Sequence, residues 1–289
     1  MKSRTVSRIL PAEMVDMGGM PVRQAIPTEA VGQIDPFLLL HHADIKVPTH
    51  TVPNHAGVGP HPHRGFSPVT FIFQGGVHHR DSRGNNQVLY AGGAQWLNAG
   101  MGVIHSERPP HDIHEIGGRQ EIIQLWINTP AKHKMDQPEY FPVAGPEAAQ
   151  VTSDDKKVRG RVFSGSILEA KGPIPSQTEV NAATFEFDKG GSISIPLPPE
   201  HNAMIYLLDG KLKLEGFGLV DGLNLVHFKN DGEGFIVEAI ENTRVLVLSG
   251  APLNEKVVSY GPYVMTYQTE IMEAMRDYQK GKMGILIED

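Results

Sequence analysis

Two pairs of metal-ligand residue types, each pair split by a single residue, constrain this chain more than any other feature. The first lies in His61-Pro62-His63-Arg64-Gly65-Phe66, the second in Gly102-Val103-Ile104-His105-Ser106-Glu107. In a β-strand, residues i and i+2 point to one face. His61 and His63 can therefore reach one point in space, and so can His105 and Glu107. Between the pairs, apolar runs alternate with turn residues, enough to fold the second pair back beside the first. Three imidazoles and one carboxylate make a divalent transition-metal site. A single His-x-His is a common coincidence and usually solvated. Two such pairs, both where apolar strands begin or end, favour a metal.

Composition narrows the rest. A chain of 289 residues with 40% hydrophobic and 20% charged residues has ample length for a core, as two domains or one large β-domain. A net charge of −7 argues against nucleic acid as a direct partner, because phosphate binding needs a basic surface. Cysteine is absent, which removes disulfide scaffolds, zinc–thiolate sites and thiol nucleophiles. The N-terminal residues lack the apolar stretch of a signal peptide, and no window approaches a membrane span. The expected location is the cytoplasm, with no membrane partner.

Plentiful glycine (31) and proline (22) suit many short strands joined by turns. Strands are expected at residues 5–9, 35–40, 69–74, 77–81, 87–90, 95–97, 103–105 and 121–127, with a hairpin at Arg83-Gly84-Asn85-Asn86. Residues 41–60, with His41, His42, His50 and His55, read as a polar loop at the rim of a pocket or simply exposed. His79-Arg80-Asp81 has the letters of a kinase catalytic loop, but no phosphate loop or Asp-Phe-Gly accompanies it; a polar hairpin end is the better account. This strand density points to an all-β sandwich or barrel.

A boundary is expected between residues 141 and 157, giving an N-terminal metal-binding domain, 1–142, and a C-terminal domain without metal ligands, 143–289. The halves form a weak repeat, with residues 69–77 aligning on 203–211. Twelve of the fourteen histidines lie between His41 and His133, so a single metal belongs to the first half. Ile271, Ala274, Met275 and Tyr278, at i, i+3, i+4 and i+7, predict a short C-terminal helix.

The chain resembles the pirins, a bicupin family, over almost its entire length. The resemblance is carried by Asp35-Pro36-Phe37-Leu38-Leu39-Leu40, the two ligand motifs, His79-Arg80-Asp81-Ser82, Gln95-Trp96, Leu248-Ser249-Gly250-Ala251-Pro252-Leu253-Asn254-Glu255 and Tyr260-Gly261-Pro262-Tyr263-Val264-Met265. It implies two jelly-roll β-barrels packed face to face, with the metal in the first. Its ligand set falls on His61, His63, His105 and Glu107. The implied metal is Fe2+, with other divalent transition metals also accommodated. The implied activity is quercetin 2,3-dioxygenase-like, with O2 and an aromatic small molecule such as a flavonol as substrates. The alternative is a non-catalytic, iron-binding, redox-responsive regulator that binds a partner protein. A monomer is expected. Where pirins often carry Glu after Arg-Gly-Phe, this chain has Ser67, which leaves Glu107 as the candidate proton acceptor. Phe66, Phe71, Phe73, Trp96 and Met101 either line an aromatic pocket or are plain barrel core, and Arg64 either orients an anionic substrate or ligand carboxylate or is a surface arginine.

Overall fold

Apolar residues at alternate positions, interrupted every few residues by glycine, proline or asparagine, dictate short strands. The computed structural model describes residues 1–49 and 56–288. In order, the first half forms β1 (Val6–Pro11), β2 (Glu13–Met17), β3 (Met20–Ile26), β4 (Phe37–Val47), β5 (Val58–His63) and β6 (Phe66–Gln74). There follow β7 (Gly76–Asp81), β8 (Asn86–Tyr90), β9 (Ala94–Asn98), β10 (Val103–Arg108), α1 (His111–Ile116), β11 (Gly118–Asn128) and β12 (Glu139–Val143). A second series of strands runs from Ala149–Thr152 to Thr243–Gly250. The chain closes with a hairpin, Val258–Tyr260 against Tyr263–Met265, and α2 (Gln268–Gln279). The fold is all-β with a short C-terminal helix, as expected. The helical turn α1, after Pro109-Pro110, was not anticipated.

Two compact units divide the chain: Met1–Pro36 with Pro146–Pro252, and Phe37–Gly145 with Leu253–Asp289. The internal break between Gly145 and Pro146 falls close to the boundary expected after residue 142. Each half takes in the terminal segment of the other. At the N-terminus β1 pairs antiparallel with Asn224–Phe228. Arg4, 2% exposed, donates to the carbonyls of His201 (2.7 Å) and Pro198 (2.6 Å), which leaves its charge well satisfied inside that unit. At the C-terminus, Ile271 and Ala274 of α2 pack with Tyr263, Met265, Met283 and Ile104. The Arg64 guanidinium pairs with Asp277 of α2 at 3.1 Å, and Arg108 with Glu288 at 2.6 Å.

Within the second unit, β12, β9, β6, β11 and β4 lie side by side, and a four-stranded sheet runs β5-β10-β7-β8. Within the first, Asn202–Leu207 sits between Asn224–Phe228 and Thr243–Gly250, as β6 sits between β9 and β11. The strand order thus matches the aligned repeat. The first unit's core includes Phe185, Ile205, Leu207, Val226, Val245 and Phe235. Each such side chain contributes roughly 1.5–3 kcal/mol through burial.

His41 and His42 are not in a loop: β4 extends through them, and both are buried. His42 Nε2 lies 3.3 Å from Glu121 Oε1 of β11. The sequence offers no warning here, since His-His is a poor strand signal and only the pairing of β4 with β11 along its whole length draws both residues in. His50 and His55 lie outside the described residues.

The short link between β5 and β6 is fixed by Gly65, whose φ of +85° is the left-handed region that glycine adopts without strain. An added Cβ would run into the Val264 carbonyl oxygen and the Met265 sulfur. Lys134, 2% exposed, holds the same link by donating to the Gly65 carbonyl and Asn128 Oδ1, each at 2.6 Å. Gly65→Ala is expected to cost at least ~2 kcal/mol, since φ and space both disfavour it. Urea unfolding checks this; a variant within 0.5 kcal/mol of the parent would mean that the link relaxes freely.

Candidate metal centre

β10 is flanked by β5 and β7, and the pairing register decides which side chains meet. His105 lies directly opposite His61 of β5, and His63 opposite Val103. Directly opposed residues hold their Cβ atoms roughly 5 Å apart, within mutual reach of two imidazoles. The rings of His61 and His105 have centroids 4.4 Å apart, and those of His63 and His105 4.9 Å. Ring nitrogens of His61, His63 and His105 all lie within 4.8 Å of one another. The two histidine segments read as convergent in the sequence do converge.

Hydrogen bonds on the far sides of the rings show which nitrogens face the centre. His61 Nδ1 lies 2.8 Å from the Gly59 carbonyl oxygen, and His63 Nδ1 lies 3.4 Å from that of Pro262. A carbonyl only accepts, so each Nδ1 carries the hydrogen and each Nε2 keeps its lone pair in the neutral ring. Those two Nε2 atoms are 3.0 Å apart. His105 Nε2 is buried without a hydrogen-bond partner. Facing lone pairs repel unless a cation lies between them, so this donor set fits a divalent transition metal. Burial pushes the His63 and His105 imidazoles well below their ordinary pKa, with His61 beside both adding to the shift. Neutral imidazole is the form that ligates.

Glu107 stands outside that nitrogen group. Its Oε1 accepts from Thr70 Oγ1 (2.6 Å) and from Gln95 Nε2, and its Oε2 from Gln124 Nε2 (2.7 Å). Gln95, Thr70 and Gln124 are register partners across β9, β6 and β11, so one polar row of the facing sheet receives the carboxylate. Gln95 Oε1 in turn accepts from the Tyr140 hydroxyl at 2.9 Å. Burial first, then the Glu107 and Asp81 charges, push the Tyr140 phenol well above its usual range.

Sequence reasoning missed several neighbours. His79 and Asp81, on the same face of β7, are opposite Glu107 and His105 and fully or nearly buried. Asp81 does end a hairpin, its Oδ1 accepting from the backbone N–H groups of Arg83 (2.9 Å) and Asn85 (3.1 Å). Its Oδ2 instead meets His79 Nε2 at 3.0 Å. Burial would push the Asp81 carboxyl up, but the hydrogen bonds from His79, Asn85 and Arg83 outweigh it and hold the pKa below normal. The signal was the i,i+2 spacing of His79 and Asp81, the same spacing that revealed the ligand pairs. Trp126 was also missed; its ring is 4.4 Å from that of Phe66 and 5.6 Å from that of His63.

Other expectations need correction. Arg64 orients no ligand: it is 2% exposed, with its Nε 2.6 Å from the Met101 carbonyl and its Nη2 paired with Asp277. Of the aromatic candidates, Phe66 touches His63 at 5.0 Å. Phe71 and Trp96 are core residues on the face of their strands opposite Thr70 and Gln95. Ser67 also lies on that face, donating to Asn98 Oδ1 at 2.9 Å, so its replacement of the usual Glu leaves the histidine centre untouched. The other unit, expected to lack ligands, holds one ligand-capable group, Glu179, Glu200 and His201. Both carboxylates are exposed, and His201 Nε2 lies 3.4 Å from Glu179 Oε1.

The double-sheet units, one with imidazole lone pairs gathered inside it, define a bicupin with a candidate tri-histidine metal site. The chain belongs to the pirin family: the Pirin family model matches residues 19–127, and that of the Pirin C-terminal cupin domain residues 182–284. A Pseudomonas aeruginosa protein named "Putative quercetin 2,3-dioxygenase" is 33% identical over 267 residues, covering 91% of this chain and 92% of that one. A pirin-like protein of Solanum lycopersicum is 32% identical over 285 residues, covering 96% and 92%. The crystal structure of a quercetin 2,3-dioxygenase from Acinetobacter baumannii superposes with a TM-score of 0.92 at 33% identity, covering 99% and 100%. No helix among the described residues is long and apolar enough to cross a membrane.

The polar row continues to His41 of β4, the register partner of Gln124. Burial lowers the His41 pKa to about 4 from the ordinary 6.5. Between those values the unfolded chain binds more protons than the folded one, so stability rises with pH there and falls on acidification. The shift corresponds to on the order of 3 kcal/mol, and His63 and His105 act in the same direction. Urea unfolding of metal-free protein is expected to show full stability above pH 6.5 and progressive loss down to pH 4. His41→Leu should flatten that slope, and an unchanged slope would remove His41 as a cause.

Proposed function

We propose that this chain is a metal-dependent dioxygenase that cleaves flavonols such as quercetin with O2, working in the cytoplasm with Fe2+ or another divalent transition metal. The observation that carries the reading is the convergence of three imidazole lone pairs from only three side chains. On a metal with octahedral preference, three imidazoles leave three positions, and two remain for small molecules if Glu107 also ligates. When bound, the metal supplies Lewis acidity and a path for electrons between an electron-rich phenol and O2. The similarity to proteins named as quercetin 2,3-dioxygenases supports the same assignment.

The chain's own residues then have separable parts. His61, His63 and His105 hold the metal. Trp126, partly exposed, edge-on to His63 and backed by the buried Phe66, is the proposed aromatic surface for a flat polyphenol. Glu107, on the same strand face as His105, is the proposed fourth ligand and the acceptor for a substrate hydroxyl proton. As an acceptor its carboxylate would exchange one of its present donors, Thr70, Gln95 or Gln124, for that hydroxyl. As a ligand it would give up one of the same bonds to the metal.

Oxygen uptake by the Fe2+-loaded protein with quercetin tests the reading. His63→Ala should abolish both metal retention and turnover. Glu107→Gln should lower kcat by about 10²-fold or more, the usual scale for a lost general base. Metal content of that variant separates the two roles: unchanged content makes Glu107 the acceptor, and reduced content makes it a ligand. Stoichiometric metal with no flavonol consumed would end the dioxygenase reading and leave the regulator that binds a partner protein.

A further inference from the structure

The partners of the three imidazoles are not alike. His61 and His63 each turn Nδ1 toward a backbone carbonyl, which can only accept. His105 turns Nδ1 toward another histidine, with His79 Nδ1 3.5 Å away. A histidine nitrogen is a donor or an acceptor according to tautomer, so this contact alone leaves two arrangements open. In one, His105 carries hydrogen on Nδ1 and presents a lone pair at Nε2. In the other, His79 donates, His105 carries its hydrogen on Nε2, and the third ligand is lost.

The next link decides between them. His79 Nε2 lies 3.0 Å from Asp81 Oδ2, and an ionised carboxylate has no hydrogen to give. His79 must then hold its hydrogen on Nε2, which in the neutral ring leaves Nδ1 as acceptor. The Asp81 carboxylate is itself fixed in orientation by Arg83 N–H, Asn85 N–H and Asn85 Nδ2, the last at 2.7 Å. The Tyr140 ring stacks on His79 at 4.0 Å and 8° between planes, which keeps the imidazole from rotating to exchange its nitrogens. His79 and Asp81 are 0% and 4% exposed, so water does not compete.

We infer that Asp81 and His79 are positioning residues for the metal centre: through two hydrogen bonds the carboxylate sets the tautomer of His105, so that Nε2 offers its lone pair to the metal. The inference rests on the metal-centre reading and adds to it a residue that touches neither metal nor substrate. It makes the third ligand depend on an anion two links away, whereas the other two depend on fixed carbonyls. Partners of this kind typically change metal affinity 10–100-fold when removed.

Asp81→Asn is the discriminating variant. Oδ1 of Asp81 already accepts two backbone N–H groups of the turn, so the Asn oxygen belongs there and its amide nitrogen falls opposite His79 Nε2. The amide donates where the carboxylate accepted. His79 then carries its hydrogen on Nδ1, and His105 is driven to the Nε2–H form. The two backbone hydrogen bonds of the turn and the steric volume are kept, the Asn85 amide turns its oxygen toward the new N–H, and the polarity of the chain is inverted.

Two-bond ¹H–¹⁵N correlation spectra of the metal-free protein report each imidazole tautomer directly. Wild type is expected to show His105 with hydrogen on Nδ1 and His79 with hydrogen on Nε2; the reverse for either would overturn the inference with no variant needed. Asp81→Asn should switch His105 to Nε2–H and weaken Fe2+ and Zn2+ binding 10–100-fold in competition with a chromogenic chelator. His78→Asn, on the opposite face of the same strand, should change neither. A folded Asp81→Asn protein with the wild-type His105 tautomer and affinity would also overturn it. Failure of wild type to bind any metal would strike the metal-centre reading, while the tautomer measurement would still decide the relay.

Discussion

The approach of His61 Nε2 to His63 Nε2, at 3.0 Å with both Nδ1 positions committed to carbonyls, is the constraint on which the candidate site depends. Two lone pairs facing each other at that distance are unfavourable unless a positive charge lies between them. The fold nevertheless imposes the approach. His61 and His63 share a face of β5, the Gly65 link fixes how β5 passes into β6, and the pairing of β10 sets His105 opposite His61. Strand pairing over many residues holds the three rings in place, and a divalent cation turns the repulsion into attraction. Ligand binding of this kind is coupled to folding free energy.

The interleaving of the termini follows from where the partners of those rings come from. The carbonyl that meets His63 Nδ1 belongs to Pro262, in the hairpin Val258–Tyr260/Tyr263–Met265 rather than in the cupin strands. That hairpin is clamped by Lys134, whose ammonium reaches the Val264 carbonyl as well as Gly65, and by α2, which Arg64 ties down through Asp277. Glu270 caps α2 by accepting from the Thr266 and Tyr267 backbone N–H groups. Residues 253–289 are therefore part of the metal-bearing unit in an energetic sense: without them one ligand loses its orienting acceptor and Arg64 its counter-charge.

What could be read in the sequence was what local periodicity carries. The i,i+2 spacing of His61/His63 and His105/Glu107 placed each pair on one face, and the alternation of residues 69–74 and 121–127 gave β6 and β11. The C-terminal helix came from its 3.6-residue pattern. What escaped depends on pairing between distant strands. Nothing near Gln95, Thr70 and Gln124 shows that three strands align them into one row under Glu107, and nothing in Val6–Pro11 shows that it completes a sheet with Asn224–Phe228. His79 and Asp81 carried the ligand spacing, but a hairpin end accounted for Asp81 well enough to mask its second hydrogen bond. Arg64 and Lys134 were invisible as buried cations because their partners lie far away in sequence.

The separation of Glu107 from the three nitrogens bears on what kind of centre this is. With Thr70 and Gln95 on Oε1 and Gln124 on Oε2, the Glu107 carboxylate keeps one lone pair, on Oε2, for a further partner, and any other new bond competes with a hydrogen bond of about 1–3 kcal/mol. The imidazoles have no such competition, and His105 Nε2 has no partner at all. In the proposed centre, three neutral imidazoles would hold the cation and Glu107 would be the one anionic group beside it. Such a cation would supply Lewis acidity, and Glu107 would be the group to take up a proton from a phenol. Thr70, Gln95 and Gln124 fix the orientation of the Glu107 carboxylate, so its place near the histidines is set by the pairing of three strands rather than by β10 alone.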